Sequence, residues 1–266
     1  MRERIILPAS AIVFGAAGFV LRLRQWASAY DPVKERFNTH AYSYSALPII
    51  LFGIAFLLFV TSWKRAPKKQ TFPLTCGSPV YMMLMAAGGF LFFGAGALGL
   101  LEGMELLQLW RTGLMPMVLS YPMSVLLCAA LCLVSGICVL VMGKYAYRPA
   151  EGKSASAYAV IPPFALLVWL FATHQAHATD PIFMRYGVYL SAAALLTMAH
   201  YDAAGFYHEQ RSKRRFLFCA LMGSVLAITA LADGLSLFQI AMGGACTLTA
   251  LGHAVALLSP KSDPEL

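Results

Sequence analysis

The sequence has little charge. Asp, Glu, Lys and Arg make up only 12% of its 266 residues, about half of the roughly 25% that a soluble domain carries. Hydrophobic residues reach 59%, and the mean hydropathy is +0.68. The apolar residues form runs of about 18 or more, each able to cross roughly 30 Å of hydrocarbon. These runs are too many for one soluble core, so the sequence predicts a multi-span membrane protein.

Long hydrophilic loops and short alternating segments are also missing. No predicted loop exceeds about 20 residues, which excludes a separate soluble domain. The absence of alternating segments of about ten residues excludes a transmembrane β-barrel. We predict an all-α polytopic membrane protein with about eight transmembrane helices. Their approximate limits are 5–23, 46–63, 80–101, 117–142, 159–173, 186–207, 216–232 and 235–258.

Basic residues in the loops predict the orientation. With these limits, 14 of the 20 Lys and Arg residues fall on the side that holds both termini. Cytoplasmic loops carry this excess, so both termini are predicted to be cytoplasmic and the protein to lie in the cytoplasmic (plasma) membrane. The first run is longer than the apolar core of a signal peptide and is expected to be retained. The net charge of +8 needs no nucleic acid, because basic loops also meet anionic lipid headgroups.

One polar phrase occurs twice. The stretches "SAYDPVKERFN" (28–38) and "HATDPIFMRYG" (177–187) both contain A-x-D-P-x-x-x-R followed by an aromatic residue. Asp and Pro favour a helix start, so the phrase is expected to begin the second helix of each half. With the basic loops in matching order, it predicts an internal repeat. Two tandem four-helix units, 1–150 and 151–266, would then lie in parallel orientation.

The third predicted span of each half ends in an acid followed by glycine, at Glu102 and at Asp233. Glycine is common after a helix, but a negative charge there opposes the helix dipole by about 0.3–1 kcal/mol. The acids therefore require cations nearby. Arg36 and Arg185 from the repeated phrase are the symmetric choices, and Arg22 and Arg24 are others. These residues predict either structural ion pairs or an outward-opening binding vestibule.

A second candidate site lies in "HQAH" (174–177). His174 and His177 share a face if the fifth helix extends that far, and Asp180 follows closely. Two histidines and a carboxylate are a ligand set for Zn²⁺ or another divalent ion. An ordinary polar role at the membrane interface is the alternative. The sequence does not identify a cofactor.

The third candidate group is His200, Asp202 and His253, all inside predicted spans. Ionisable groups at membrane depth usually face the bundle interior or a water-filled cavity. His200 and Asp202 are two positions apart, or about 200° around a helix, so they cannot both face one ligand. A proton or cation relay and simple interhelical hydrogen bonding are both open at this point.

The stretch "GAGALG" (94–99) matches a dinucleotide-binding pattern, but it lies inside an apolar span without the strand that this fold requires. We expect Gly88, Gly89, Ala95 and Gly99 to allow close helix packing instead. HExxH, Walker A and G-x-S-x-G patterns are all missing from the sequence.

Three functions fit these observations. The first is a small-solute transporter or permease working between two pseudo-symmetric halves, with a solute or ion as its partner. The second is a non-catalytic membrane subunit or scaffold that binds another membrane protein or a second copy. An intramembrane His/Asp enzyme is the least supported, because no nucleophile, base and orienting group can be placed together.

Overall fold

The computed structural model describes residues 2–34, 36–66, 76–114, 118–148, 155–177, 180, 183–208 and 212–259. The helices are α1 (Arg2–Ala29), α2 (Tyr42–Arg65), α3 (Pro79–Thr112), α4 (Ser120–Tyr147), the short α5 (Ser156–Ala159), α6 (Ile161–Ala176), α7 (Phe183–Gly205), α8 (Lys213–Ala230) and α9 (Leu237–Leu257). Between α1 and α2, the two-residue strands β1 (Tyr30–Asp31) and β2 (Arg36–Phe37) pair antiparallel.

Seven segments of the described chain are long and apolar enough to cross a membrane. The protein is therefore a helical bundle of the integral membrane class, as the composition predicts. The remaining predicted span, 186–207, coincides with α7. This helix contains Arg185, His200 and Asp202 and is not among the seven, so the total of eight spans stays a prediction.

The repeated Asp-Pro phrase has different structures at its two positions. Asp31 lies in β1, and its Oδ1 accepts hydrogen bonds from the backbone amides of Val33 at 3.0 Å and Lys34 at 3.2 Å. The first phrase thus forms a hairpin turn, and α2 begins only at Tyr42. The prediction that Asp31 starts the second helix is wrong, because the carboxylate satisfies turn amides instead. The second phrase does precede a helix, since α7 begins three residues after Asp180.

The predicted end of the third helix at Glu102 is also wrong. Helix α3 continues to Thr112 and ends where Gly113 adopts a left-handed conformation with φ of 68°. Gly103 lies inside the helix, packed against the side chain of Leu126 in α4. Leucine, methionine and glutamate follow it and favour helix, so this glycine serves helix packing and not helix termination.

The most buried spans are α8 and α9. Helix α9 packs mainly on α3, and α8 packs on α7 and α1. Helix α4 joins α3 to α6, while α2 lies at the edge against α1 and α8. Helices of the predicted units 1–150 and 151–266 are thus interleaved in one bundle. The tandem-repeat arrangement stays a prediction.

Close helix packing at the glycines of α3 is confirmed. A Cβ atom at Gly88 would lie 2.5 Å from Cγ2 of Thr249 in α9, and one at Gly89 would lie 3.3 Å from the carbonyl oxygen of Gly136 in α4. At Gly99 it would lie 2.9 Å from the ring of Phe238. Small residues let backbones approach closely, and in a membrane this packing contributes to helix association.

Candidate functional site

Two charged pairs, each with a buried carboxylate, lie at opposite ends of α8. Asp233 follows the C-terminus of this helix and pairs with Arg22 of α1. Arg215 lies in its first turn and pairs with Asp202 of α7. At 1.5 Å per residue, the 18 positions from 215 to 233 correspond to roughly 27 Å, close to the thickness of the hydrocarbon layer. We name the two sites the Asp233 end and the Asp202 end.

Arg22 is the centre of the Asp233 end. Its side chain is fully buried, and its Nε donates a hydrogen bond of 2.6 Å to Oδ1 of Asp233. One Nη donates to Oε1 of Gln25, and the other donates to the carbonyl oxygens of Met184 at 2.7 Å and Arg185 at 3.2 Å. The guanidinium therefore connects α1, the start of α7 and the end of α8 through a rigid fork of donors.

Gln25 and Trp26 complete this arrangement from α1. Nε2 of Gln25 donates to the carbonyl oxygen of Tyr44 at 3.0 Å, which ties in the start of α2. Nε1 of Trp26 donates to Oδ1 of Asp233 at 3.0 Å, and the ring centroid lies 5.2 Å from Cζ of Arg22. That distance allows a cation–π contact. Arg22, Gln25 and Trp26 share one face because they are three and four positions apart.

The Asp233 carboxylate is bonded on one side only. Oδ1 accepts from both Arg22 and Trp26, whereas Oδ2 is buried and has no hydrogen-bond partner among the described residues. The whole side chain is only 4% exposed. Since a buried carboxylate oxygen is costly without a donor, Oδ2 is the chemically open atom of this cluster.

A polar rim surrounds the pair. Arg185 donates to the hydroxyl of Tyr30 at 2.9 Å and lies 3.8 Å from a carboxylate oxygen of Asp180. His177 stacks on the ring of Tyr186 with centroids 4.8 Å apart. Burial lowers the pKa of His177 below its ordinary value; Asp180 acts in the opposite direction, and Arg185 lowers it further. At neutral pH this imidazole is therefore neutral.

The predicted pairing of the repeated acids and arginines is not what the structure forms. Asp233 pairs with Arg22 and not with Arg185, because α1 packs along α8 and brings Arg22 to its end. Arg36 is exposed in the hairpin, opposite Asp31 in the strand register. Glu102 is a mid-helix residue of α3, so the symmetry that suggested its pairing is lost.

The predicted metal ligands are separated. Helix α6 ends at Ala176, so His177 is the C-cap and not a residue of the helix. His174 lines a groove between α4, α6 and α7, whereas His177 and Asp180 lie at the rim of the Asp233 end. Within the described residues, no three His, Cys, Asp or Glu side chains form a group suited to a metal ion.

The Asp202 end has a more complete ion pair. Nε of Arg215 donates to Oδ2 of Asp202 at 2.8 Å, and an Nη donates to Oδ1. This fork satisfies both carboxylate oxygens, the strong bidentate form of the contact. Asp202 is fully buried, and Arg215 is 44% exposed. The Asp202 side chain thus pairs with a residue of α8 and not with His200 or His253, the two histidines of the same candidate group.

His200 and His253 lie together in the interior, with ring centroids 6.5 Å apart. Nδ1 of His200 lies 2.8 Å from the carbonyl oxygen of Leu196, which can only accept, so this nitrogen carries the hydrogen. Nε2 lies 2.7 Å from Oγ1 of Thr249, and that hydroxyl is also 2.8 Å from the carbonyl oxygen of Ala245. This arrangement joins α7 to α9 by hydrogen bonds.

Three lateral cavities are apolar. A groove of about 1030 Å³ is bounded by α4, α6 and α7, and a second of about 530 Å³ continues along α6 and α7 beyond Leu167. A third, of about 540 Å³, lies beside α9 and reaches Trp169 and Tyr189. Neither the Asp202 carboxylate nor the Asp233 carboxylate lines any of these three cavities.

Sequence reasoning placed Asp233 at a candidate site but gave Gln25 and Trp26 no role. The available signal was the spacing of Arg22, Gln25 and Trp26, which marks a polar stripe near the end of an apolar helix.

Neither a family model, nor a curated protein, nor a solved structure is significantly similar to this chain.

Proposed function

We propose that this protein is a small-solute transporter in which α8 carries a gate at each end. The supporting observation is the pair of interhelical ion pairs, Arg22–Asp233 and Asp202–Arg215, at opposite ends of one central helix. Alternating access requires one closure on each side of a binding region. Both ion pairs are formed in the structure, and the proposal assigns this arrangement to a state with both gates closed.

The dipole of α8 favours the paired state at both ends of the helix. Arg215 at the start of α8 and Asp233 after its end both have the charge that the dipole disfavours, by about 0.3–1 kcal/mol each. Their partners Asp202 and Arg22 have the favoured charge. Each ion pair therefore compensates an unfavourable charge at one end of α8 when it is formed. Breaking either pair exposes that unfavourable charge again, so opening costs free energy at both ends.

The orientation that the loop charges predict places the Asp233 end outside the cell and the Asp202 end on the cytoplasmic side. Arg22 and Asp233 would then form the outer gate, with Arg185, Asp180 and His177 at its entrance. Asp202 and Arg215 would form the inner gate.

The proposal is tested in proteoliposomes supplied with a defined mixture of amino acids, sugars, organic acids and organic amines. Mass spectrometry of the vesicle contents identifies solutes that enter with the protein and not with empty vesicles. We expect at least one such solute, and slower entry with Asp202→Asn. The matched control is Arg24→Met, an exposed position of α1. Equal contents in vesicles with and without protein would overturn the proposal.

A membrane subunit that binds another membrane protein is the second candidate, and the α4–α6–α7 groove supports it. The groove and its continuation extend from His174 at one end of α6 to Val160 at the other. These 14 positions correspond to roughly 21 Å along α6, more than half of the hydrocarbon layer of about 30 Å, so a helix from a partner fits the groove better than a lipid chain of one leaflet. A photo-crosslinker at Phe171 in the groove, compared with one at Phe52 on the outer face of α2, tests this. A single stoichiometric adduct at Phe171 alone supports the subunit function, and equal lipid adducts at both exclude it.

A further inference from the structure

We propose that Asp233 is a proton-binding site and that the proton enters at Oδ2, which makes H⁺ the coupling ion at the outer gate. The inference rests on the proposed transporter function for its physiological meaning. Proton binding itself is a property of the site and can be measured without transport.

The two aspartates at the ends of α8 differ in the way that matters for a proton. Asp202 accepts from Arg215 through both oxygens, so a proton on either atom weakens a charge-assisted hydrogen bond to that atom. Asp233 accepts both of its hydrogen bonds, from Arg22 and Trp26, through Oδ1. A proton can therefore add to Oδ2 of Asp233 without breaking any hydrogen bond that the described residues form.

The depth of the carboxyl also favours proton exchange over a permanent ion pair. The Asp233 side chain is 4% exposed and lies behind a rim that includes Asp180, 18% exposed, and Arg185, 33% exposed. A proton can reach it from this partly exposed rim. The Asp202 side chain is 0% exposed, and Arg215 covers its carboxylate.

The charged and titratable groups around Asp233 come from each neighbouring element. Arg22 of α1 contacts the carboxylate directly, and His177 after α6 acts on it through space. Arg185 at the start of α7 is partly neutralised by Asp180 and bonded to Tyr30 of β1. Arg22 and a protonated His177 favour the carboxylate, whereas burial of Oδ2 without a donor favours the neutral acid.

Protonation changes the strength of the gate. The proton forms an O–H bond at Oδ2, the carboxylate becomes a neutral carboxylic acid, and Arg22 stays a cation. The contact between Arg22 and Oδ1 then loses the attraction between full charges, and the end of α8 loses its unfavourable negative charge. Arg22 keeps its hydrogen bonds to Gln25 and to the start of α7. Uptake of a proton therefore loosens α8 from α1 at this end.

Infrared difference spectroscopy tests the proposal on the full-length protein in liposomes, with H⁺ itself as the probe. Lowering the pH should produce a carbonyl-stretch band of a buried carboxylic acid. We expect this band to disappear in Asp233→Asn and to persist in Asp202→Asn, with helix content checked by circular dichroism. A band that persists in Asp233→Asn, or that disappears in Asp202→Asn, overturns the proposal.

A further variant covers the case in which Asp233→Asn does not fold. Asp233→Glu keeps the acid and should shift the frequency of the band, and an unshifted band again overturns the proposal. Solute uptake separates the two hypotheses. If Asp233 titrates but no solute enters the vesicles, the proton site stands and the transporter function fails. If solute enters and no band depends on Asp233, the proton site alone is wrong.

Discussion

Replacing Arg22 by Met removes a fully buried cation and leaves Asp233 in place. Removing one partner of a buried ion pair costs about 3–5 kcal/mol, since the other charge stays buried without compensation. The Trp26 indole still donates to Oδ1 of Asp233, and Met fills much of the volume of the Arg stem. We therefore expect the lower end of this range, about 3 kcal/mol in the free energy of unfolding.

The measurement is an unfolding titration with sodium dodecyl sulfate in mixed micelles, followed by far-ultraviolet circular dichroism. Arg24→Met is the control, because Arg24 is exposed two positions further along the same helix, and its effect should stay within about 0.5 kcal/mol. The double variant Arg22→Met/Asp233→Asn should recover part of the loss, because the uncompensated charge is gone. Equal loss in the two single Arg variants would refute the reasoning.

Three further predictions follow from the same structure. Arg215→Met should lower the free energy of unfolding more than Asp202→Asn does in the same titration. Arg215→Met leaves the buried carboxylate unpaired, whereas Asp202→Asn leaves a half-exposed arginine that water can solvate. The opposite order would contradict this reasoning. Gly96→Ala should cost about 1–3 kcal/mol, since its Cβ would lie 3.0 Å from the carbonyl oxygen of Ala129, and Gly94→Ala, with open space around it, should not destabilise. The free energy of unfolding should fall as the pH drops below about 6.5, because burial lowers the pKa of His177 in the folded state and the unfolded state takes up the proton first. His177→Gln should reduce this fall. An equal fall in His177→Gln would show that another group causes it.

The membrane class and the position of the spans follow from the sequence, because a 30 Å apolar layer demands long apolar runs whatever the tertiary fold. The glycines of α3 were also predictable as packing positions. The partner of Asp233 was not, because it depends on which helices are neighbours, and α1 and α8 are about 200 residues apart in the chain. The end of α3 was misplaced for a local reason, since a glycine inside a helix and one after it look alike in sequence.

Helix α3 has a consequence for the shape of the protein at the membrane surface. Its 34 residues correspond to roughly 51 Å at 1.5 Å per residue. Even a tilt of about 40°, the upper end of the usual range, would leave roughly 39 Å along the membrane normal, more than the hydrocarbon layer of about 30 Å. Helix α3 therefore extends beyond the hydrocarbon layer into the headgroup region. Because Gly99 already packs against Phe238 in the first turn of α9, the part of α3 from residue 100 to Thr112 projects past the start of α9 on the side that holds Asp233.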